Sequence, residues 1–160
     1  MLAIIWHSRT GAARAMAAAA AEGAAQGGAA CTLLSAAAAT PDLCAAARGF
    51  LFVCPENLGS MSGEMKAFFD RCYYPLLGRI EGRAYATAIA AGTAGQGAQG
   101  QIDRIVTGWR LKRVAPPYIV VTGADRPDSI LAAKSLPHIA LQKCRDLGQL
   151  LSTGLEMGAF

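Results

Sequence analysis

Five short apolar runs alternate along the chain with longer segments of mixed or small residues. Continuous apolar runs bounded by turn residues are typical of strands that are buried on both faces of a parallel sheet. They predict strands at Leu2–Trp6, Cys31–Leu34, Phe50–Cys54, Ala84–Ala91 and Tyr118–Val121. We expect Pro55 to end the third strand, because proline cannot donate a hydrogen bond to a neighbouring strand.

The segments between these runs predict helices, from capping residues, closing glycines and apolar residues at helical spacing. The predicted helices are Ala12–Gln26, a helix starting at Thr40-Pro41, Glu64–Arg71, Gln101–Trp109 and Pro137–Leu155, with residues 92–100 as a glycine-rich loop. Because strands and helices alternate throughout, the sequence predicts one α/β domain over residues 1–160, built around a parallel sheet.

Composition and charge exclude several classes of protein. The chain has 160 residues, of which 53% are hydrophobic and 16% charged, so intrinsic disorder is excluded. The net charge is +4, yet no run of Lys and Arg exceeds two residues, and we expect no nucleic-acid partner. Arg14 and Glu22 interrupt the longest alanine-rich stretch, and no basic leader precedes Leu2–Trp6. We therefore expect a cytoplasmic protein without a membrane segment.

The cysteines do not indicate a metal site or a disulfide framework. They number five, lack any C-x-x-C pair and lie at least ten residues apart. We interpret them as small buried residues in a reducing compartment and expect no metal.

Three loops at the carboxyl ends of predicted strands have unusual compositions. Ligands of open parallel sheets bind at this edge. The first loop combines hydroxyls, a cation and a glycine ahead of a helix, which favours a phosphate site at the helix start. Its residues are Ser8, Arg9, Thr10 and Gly11, followed by Ala12. Ordinary helix capping by Ser8 or Thr10 is the alternative.

The second and third loops suit a flat heteroaromatic ring with polar edges. The second offers an amide, a thioether and backbone N–H groups, and its residues are Pro55, Glu56, Asn57, Leu58, Gly59, Ser60 and Met61. We expect Glu56 to contact a ligand only through its backbone, and Ser62 to cap the next helix. The third loop allows close backbone approach, and its candidate residues are Gly92, Thr93, Gly95 and Gly97. A surface connection and a flexible turn are the respective alternatives.

These motifs resemble the flavodoxin-like NAD(P)H-dependent FMN reductases. The resemblance covers essentially the whole chain and is most specific in residues 55–63 with the helix that follows. It implies a three-layer α/β sandwich with five parallel strands in the order 2-1-3-4-5, and FMN at the carboxyl edge. The chain departs from the family pattern in two of the loops. Ala12 and Ala13 stand where a further hydroxyl or amide is common, and Leu58 stands near the usual place of an aromatic residue.

The resemblance also implies an activity. NAD(P)H would be the electron donor, a quinone, flavin or similar small molecule the acceptor, and a homodimer the expected assembly. No catalytic side chain is assigned, and His7 is expected to orient the first loop or to cap the first strand. Two alternatives stay open, namely a flavodoxin-type electron carrier and a flavin-free domain that kept the fold. The net charge of +4 argues against the carrier, because such carriers usually present an acidic docking face.

Overall fold

The computed structural model describes residues 1–160, which form seven strands and six helices. In chain order they are β1 (Leu2–Trp6), α1 (Ala12–Gln26), β2 (Cys31–Ser35), α2 (Pro41–Ala46), β3 (Gly49–Asn57), β4 (Ser60–Met61), α3 (Gly63–Leu76), β5 (Ala84–Ala91), α4 (Gln96–Gly108), β6 (Lys112–Arg113), β7 (Tyr118–Val121), α5 (Pro127–Leu131) and α6 (His138–Met157). None of the helices has the length and apolar character of a membrane span.

The sheet has the strand order β2-β1-β3-β5, and both β6 and β7 pair with β5. All these pairings are parallel, so the expected flavodoxin-like sandwich with strand order 2-1-3-4-5 is confirmed. The fifth strand is interrupted. Lys112 pairs with Ala84, whereas Tyr118 pairs with Ala88, so β7 is displaced by two residues from the register of β6. Pro116 and Pro117 lie in this interruption, where their missing N–H groups remove no ladder bond.

Helices cover both faces of the sheet. On one face, α2, α3 and α4 pack against β1, β3 and β5 through a cluster that includes Phe52, Phe68 and Trp109. On the other face, α1 and α6 pack against the alternate residues of the same strands, including Ile4, Leu51 and Val53. The continuous apolar runs of the sequence follow from this double burial.

Small residues allow α1 and α6 to pack with their backbones in contact. A Cβ at Gly23 would overlap the carbonyl of Arg145, and a Cβ at Gly148 would overlap the carbonyl of Ala20. The alanine-rich composition of α1 therefore serves close helix packing.

Several expectations about element boundaries were wrong, and α3 continues past the predicted end at Arg71 to Leu76. Pro55 does not end the third strand, because β3 continues to Asn57 and pairs Pro55 with Ala90. The pairing of β3 with β1 stops at Val53, so at Pro55 the β1 side of the strand lies open and the missing N–H is tolerated. Residues 92–100 are not a single loop, because α4 begins at Gln96. The short elements β4, β6 and α5, which have two, two and five residues, were not predicted from the sequence.

Candidate functional site

A cavity of about 320 Å³ lies at the carboxyl edge of the sheet, where β1 and β3 meet the loops that follow them. Four segments enclose it: the loop between β1 and α1, the turn between β3 and β4, the loop between β5 and α4, and the segment after β7. Its lining residues are Ser8, Arg9, Thr10, Ala12, Ala13, Pro55, Glu56, Asn57, Leu58, Gly59, Ala90, Ala91, Gly92, Thr93, Thr122, Ala124, Ile130 and Lys134.

The cavity brings together members of all three loops singled out from the sequence. The candidate residues that line it are Ser8, Arg9, Thr10, Ala12, Pro55, Glu56, Asn57, Leu58, Gly59, Gly92 and Thr93. The candidate residues that do not line it are Gly11, Ser60, Met61, Gly95 and Gly97. The second group instead fixes the backbone of the loops around the cavity.

The first loop is folded by a local hydrogen bond. Ser8 Oγ accepts from the backbone N–H of Gly11 at 3.1 Å, and Gly11 has a φ of 101°, in the left-handed region that favours glycine. Gly11 is the N-cap of α1, so the N–H groups of the first helical turn have no partner within the helix. The Thr10 side chain makes no hydrogen bond within the protein and borders the cavity. These donors, with the helix dipole, suit an anion.

Two cationic residues belong to this loop or contact it. Arg9 is exposed and forms no ion pair, so its guanidinium is available to an anionic ligand. Lys134 donates through its backbone N–H to the carbonyl of Thr10 at 2.8 Å. Its ammonium is held by the carbonyls of Ser129, Ile130 and Ala132 at the end of α5. The segment after β7 is therefore tied to the first loop.

The second loop is a β-hairpin. Glu56 pairs with Met61 and Asn57 with Ser60, which leaves Leu58 and Gly59 as a two-residue turn. Both have positive φ, 53° and 71°, as in the type I′ turn that usually carries Asn-Gly. Leu58 is fully exposed at the cavity mouth. A leucine in the left-handed region costs about 1–2 kcal/mol, so this turn is strained.

The side chain of Glu56 connects the second loop to the third. Its carboxylate accepts hydrogen bonds from the backbone N–H groups of Gly95 at 2.9 Å and Ala98 at 3.0 Å. This carboxylate therefore caps the start of α4, and the expectation that Glu56 contacts a ligand only through its backbone stays a prediction. Capping by a residue so distant in sequence also explains why the helix begins earlier than its local composition predicts.

His7 and Ser62 do not line the cavity and lie in the loop after β1 and at the start of α3. His7 Nε2 lies 3.4 Å from Glu64 Oε2, while His7 Nδ1 and the fully buried Ser62 Oγ have no hydrogen-bond partner. Ser62 occupies the N-cap position of α3, but its side chain makes no capping hydrogen bond, contrary to expectation. Burial raises the pKa of the neighbouring Cys54 thiol to about 12.

Sequence reasoning missed one wall of the cavity. Thr122, Ala124, Ile130 and Lys134 line it from the segment after β7. The only signal was their place after the last strand, since carboxyl-end loops of a parallel sheet meet at one edge. No group of three or more His, Cys, Asp or Glu side chains lies close enough to hold a metal ion.

The arrangement fits a flat ring with a single phosphate. Pro55, Leu58 and Ile130 provide apolar walls, and the Asn57 and Thr93 side chains line the cavity with no hydrogen bond inside the protein. The start of α1 has unpaired N–H groups that an anion could accept from, whereas the start of α4 already holds the Glu56 carboxylate. The cavity therefore combines an apolar groove with one site for a negative charge.

The sequence model of a family described as NADPH-dependent FMN reductase matches residues 28–125, more than half of the chain. No curated protein is matched by the sequence.

Several solved structures share the fold. A flavodoxin from the domain Archaea is 18% identical, with a TM-score of 0.79 over 98% of this chain and 99% of that one. The flavodoxin, WrbA-like protein from Agrobacterium tumefaciens is 16% identical, with a TM-score of 0.76 over 98% and 97%. The flavodiiron protein from Giardia intestinalis is 16% identical with a TM-score of 0.75, and 94% of this chain matches 35% of that one.

Proposed function

The chain belongs to the NADPH-dependent FMN reductase family, and we propose from this premise that it is an oxidoreductase that passes electrons from NADPH or NADH to a small acceptor. A quinone or a free flavin has the required chemistry. The observation that carries the proposal is the cavity at the carboxyl edge of the sheet, which joins the start of α1 to an apolar groove.

The first loop would hold the phosphate of FMN. Free backbone N–H groups at the start of α1, the Thr10 hydroxyl and the Arg9 guanidinium are the available donors. The hairpin with Leu58, together with Gly92 and Thr93, would enclose the ring. FMN, when bound, supplies the hydride chemistry, and the protein supplies binding and orientation.

Proton transfer by the protein is not part of the proposal. The ionisable side chains that line the cavity are Arg9, Glu56 and Lys134. The Glu56 carboxylate is engaged by two backbone N–H groups, and the Lys134 ammonium by three carbonyls. Glu56 and Lys134 therefore position the walls of the site, and Arg9 remains available to the phosphate.

The open mouth of the cavity supports two substrates that use one face in turn. Leu58 is fully exposed and Ile130 is exposed, so neither side chain covers the mouth of the cavity. The net charge of +4 would attract an anionic dinucleotide, and the rate should fall as salt screens that attraction.

An electron-carrier role is the second candidate, and the likeness to the archaeal flavodoxin favours it. Anaerobic rapid mixing separates the two. The protein loaded with FMN is mixed with NADPH or with NADH, the flavin absorbance is followed, and a quinone is then added. We expect bleaching by one nucleotide and recovery with the quinone. If neither nucleotide bleaches the flavin at millimolar concentration, the reductase function is contradicted and the electron-carrier role is favoured.

A further inference from the structure

We propose that Glu56 is a positioning residue, which fixes the ring-binding hairpin against helix α4 and so determines affinity for the ring of the flavin but not for its phosphate. The inference rests on the proposed function, because it assigns the hairpin to the ring. The hairpin is the segment 55–61.

The first observation is the pair of hydrogen bonds between the Glu56 carboxylate and the start of α4. Gly95 and Ala98 belong to the start of that helix, where backbone N–H groups lack intrahelical partners. The two carboxylate oxygens of Glu56 each accept from one of these groups, at 2.9 and 3.0 Å. A negative charge at this position is also favoured by the helix dipole. A side chain of the cavity wall thus serves as the cap of α4.

The second observation is the close approach of the hairpin turn to α4. A Cβ at Gly97 would overlap the carbonyl oxygen of Gly59 and would lie 3.2 Å from Glu56 Oε2. Only glycine at residue 97 lets the turn approach the helix this closely. The hairpin and the helix therefore meet backbone to backbone.

The third observation is a further pair of hydrogen bonds one turn along α4. Gln101 Oε1 accepts from the backbone N–H of Met61 and from Ser60 Oγ, both at 2.9 Å. The strand that returns from the turn is thus fixed to the same helix as the outgoing strand. Both strands of the hairpin are held by α4.

These contacts imply that different elements bind the ring and the phosphate of the flavin. The hairpin and α4 form one unit that carries Asn57 and Leu58 on the cavity wall, whereas the anion-binding donors belong to the first loop and α1. The Glu56 carboxylate accepts from two N–H groups at the start of α4 and places a negative charge there, which makes that helix start unfavourable for a ligand phosphate. Loss of Glu56 should then weaken FMN and riboflavin by the same factor.

The test compares FMN and riboflavin affinities by quenching of flavin fluorescence. In the Glu56→Gln variant we expect both dissociation constants to rise roughly three- to thirtyfold, the size expected of a lost helix cap, with their ratio unchanged. Glu22→Gln is the matched control. It removes the same charge and also breaks a contact between elements, with Arg145, but Glu22 lies outside the cavity.

A second pair of variants tests the same point without a change of charge. Gly97→Ala should push the turn away from α4 and again weaken both flavins equally. Gly100→Ala lies one turn along the same helix, and its Cβ would have no neighbour within 4 Å, so both affinities should stay at the wild-type values.

The outcomes separate the inference from the proposed function. If the wild-type protein binds neither flavin, the proposed function fails. If the wild type binds FMN but Glu56→Gln and Gly97→Ala bind both flavins unchanged, the inference alone is overturned. A loss of FMN affinity without a loss of riboflavin affinity would also overturn it, because Glu56 would then act on the phosphate. Should Glu56→Gln fail to fold, the Gly97→Ala and Gly100→Ala pair decides.

Discussion

Gly148 of α6 lies directly against the backbone carbonyl of Ala20 in α1, with no room between them for a side chain. Gly23 repeats the relationship in the opposite direction, against the carbonyl of Arg145. This pair of helices covers the whole sheet face that holds Leu51 and Val53. The contact is therefore a determinant of stability far from the cavity.

Gly148→Ala should destabilise the fold. The added methyl must force the helices apart, which typically costs about 1–3 kcal/mol in a packed interior. Gly100→Ala is the control, because its methyl meets nothing and alanine is favoured over glycine in a helix by about 1 kcal/mol. Urea unfolding monitored by circular dichroism measures both. Equal stability of Gly148→Ala and wild type would show that the two helices are free to separate.

Leu58→Asn should increase the stability of the flavin-free protein and weaken flavin binding. Asparagine tolerates the left-handed backbone and suits the type I′ turn, so relief of strain should contribute about 0.5–1 kcal/mol. The same change removes an apolar contact at the cavity mouth. Thermal unfolding without flavin and a flavin titration test the two halves. An unchanged melting temperature of the variant would contradict strain at Leu58. An unchanged flavin affinity would contradict a contact between Leu58 and the ring.

Thr10→Val should weaken FMN by roughly ten- to a hundredfold and leave riboflavin unchanged. A hydrogen bond to a charged phosphate contributes about 1.5–3 kcal/mol, and riboflavin has no phosphate. Ser62→Ala should change neither affinity, since the Ser62 hydroxyl is buried without a partner and lies outside the cavity. Titration of both flavins into both variants provides the comparison. Similar FMN affinities in the two variants would show that the first loop does not bind the phosphate.

Stability should fall as the pH rises from about 9 towards 12. Burial raises the pKa of the Cys54 thiol from 9.0 to about 12, and that of the Cys144 thiol likewise. Above pH 9 the unfolded chain ionises these thiols while the folded protein keeps them neutral, so ionisation favours unfolding. Below pH 9 both thiols are protonated in the folded and in the unfolded chain, so their full contribution to stability is present. Urea unfolding across this range should show a steeper loss in the wild type than in a Cys54→Ala, Cys144→Ala variant; parallel losses would contradict the assignment.

The apolar runs were sufficient to predict the five main strands, because strands buried on both faces are continuously apolar, whereas the two-residue strands β4 and β6 have no such run. The strands at Leu2–Trp6 and Ala84–Ala91 begin and end where the sequence predicts. The start of α4 was missed for the opposite reason: its cap is Glu56, which is distant in sequence and reaches the helix only in the folded chain. Ile130 and Lys134 carry no local signal either, since they enter the cavity through the course of the chain after β7.

We propose that the cavity binds FMN through an apolar groove for the ring and a single phosphate site at α1. The decisive measurement is a calorimetric titration of the flavin-free protein with FMN and with riboflavin in the same buffer. We expect both to bind with one molecule per chain and FMN to bind about ten- to a hundredfold more tightly, because only FMN uses the donors of the first loop. Equal affinities, or no binding of either flavin, would contradict it.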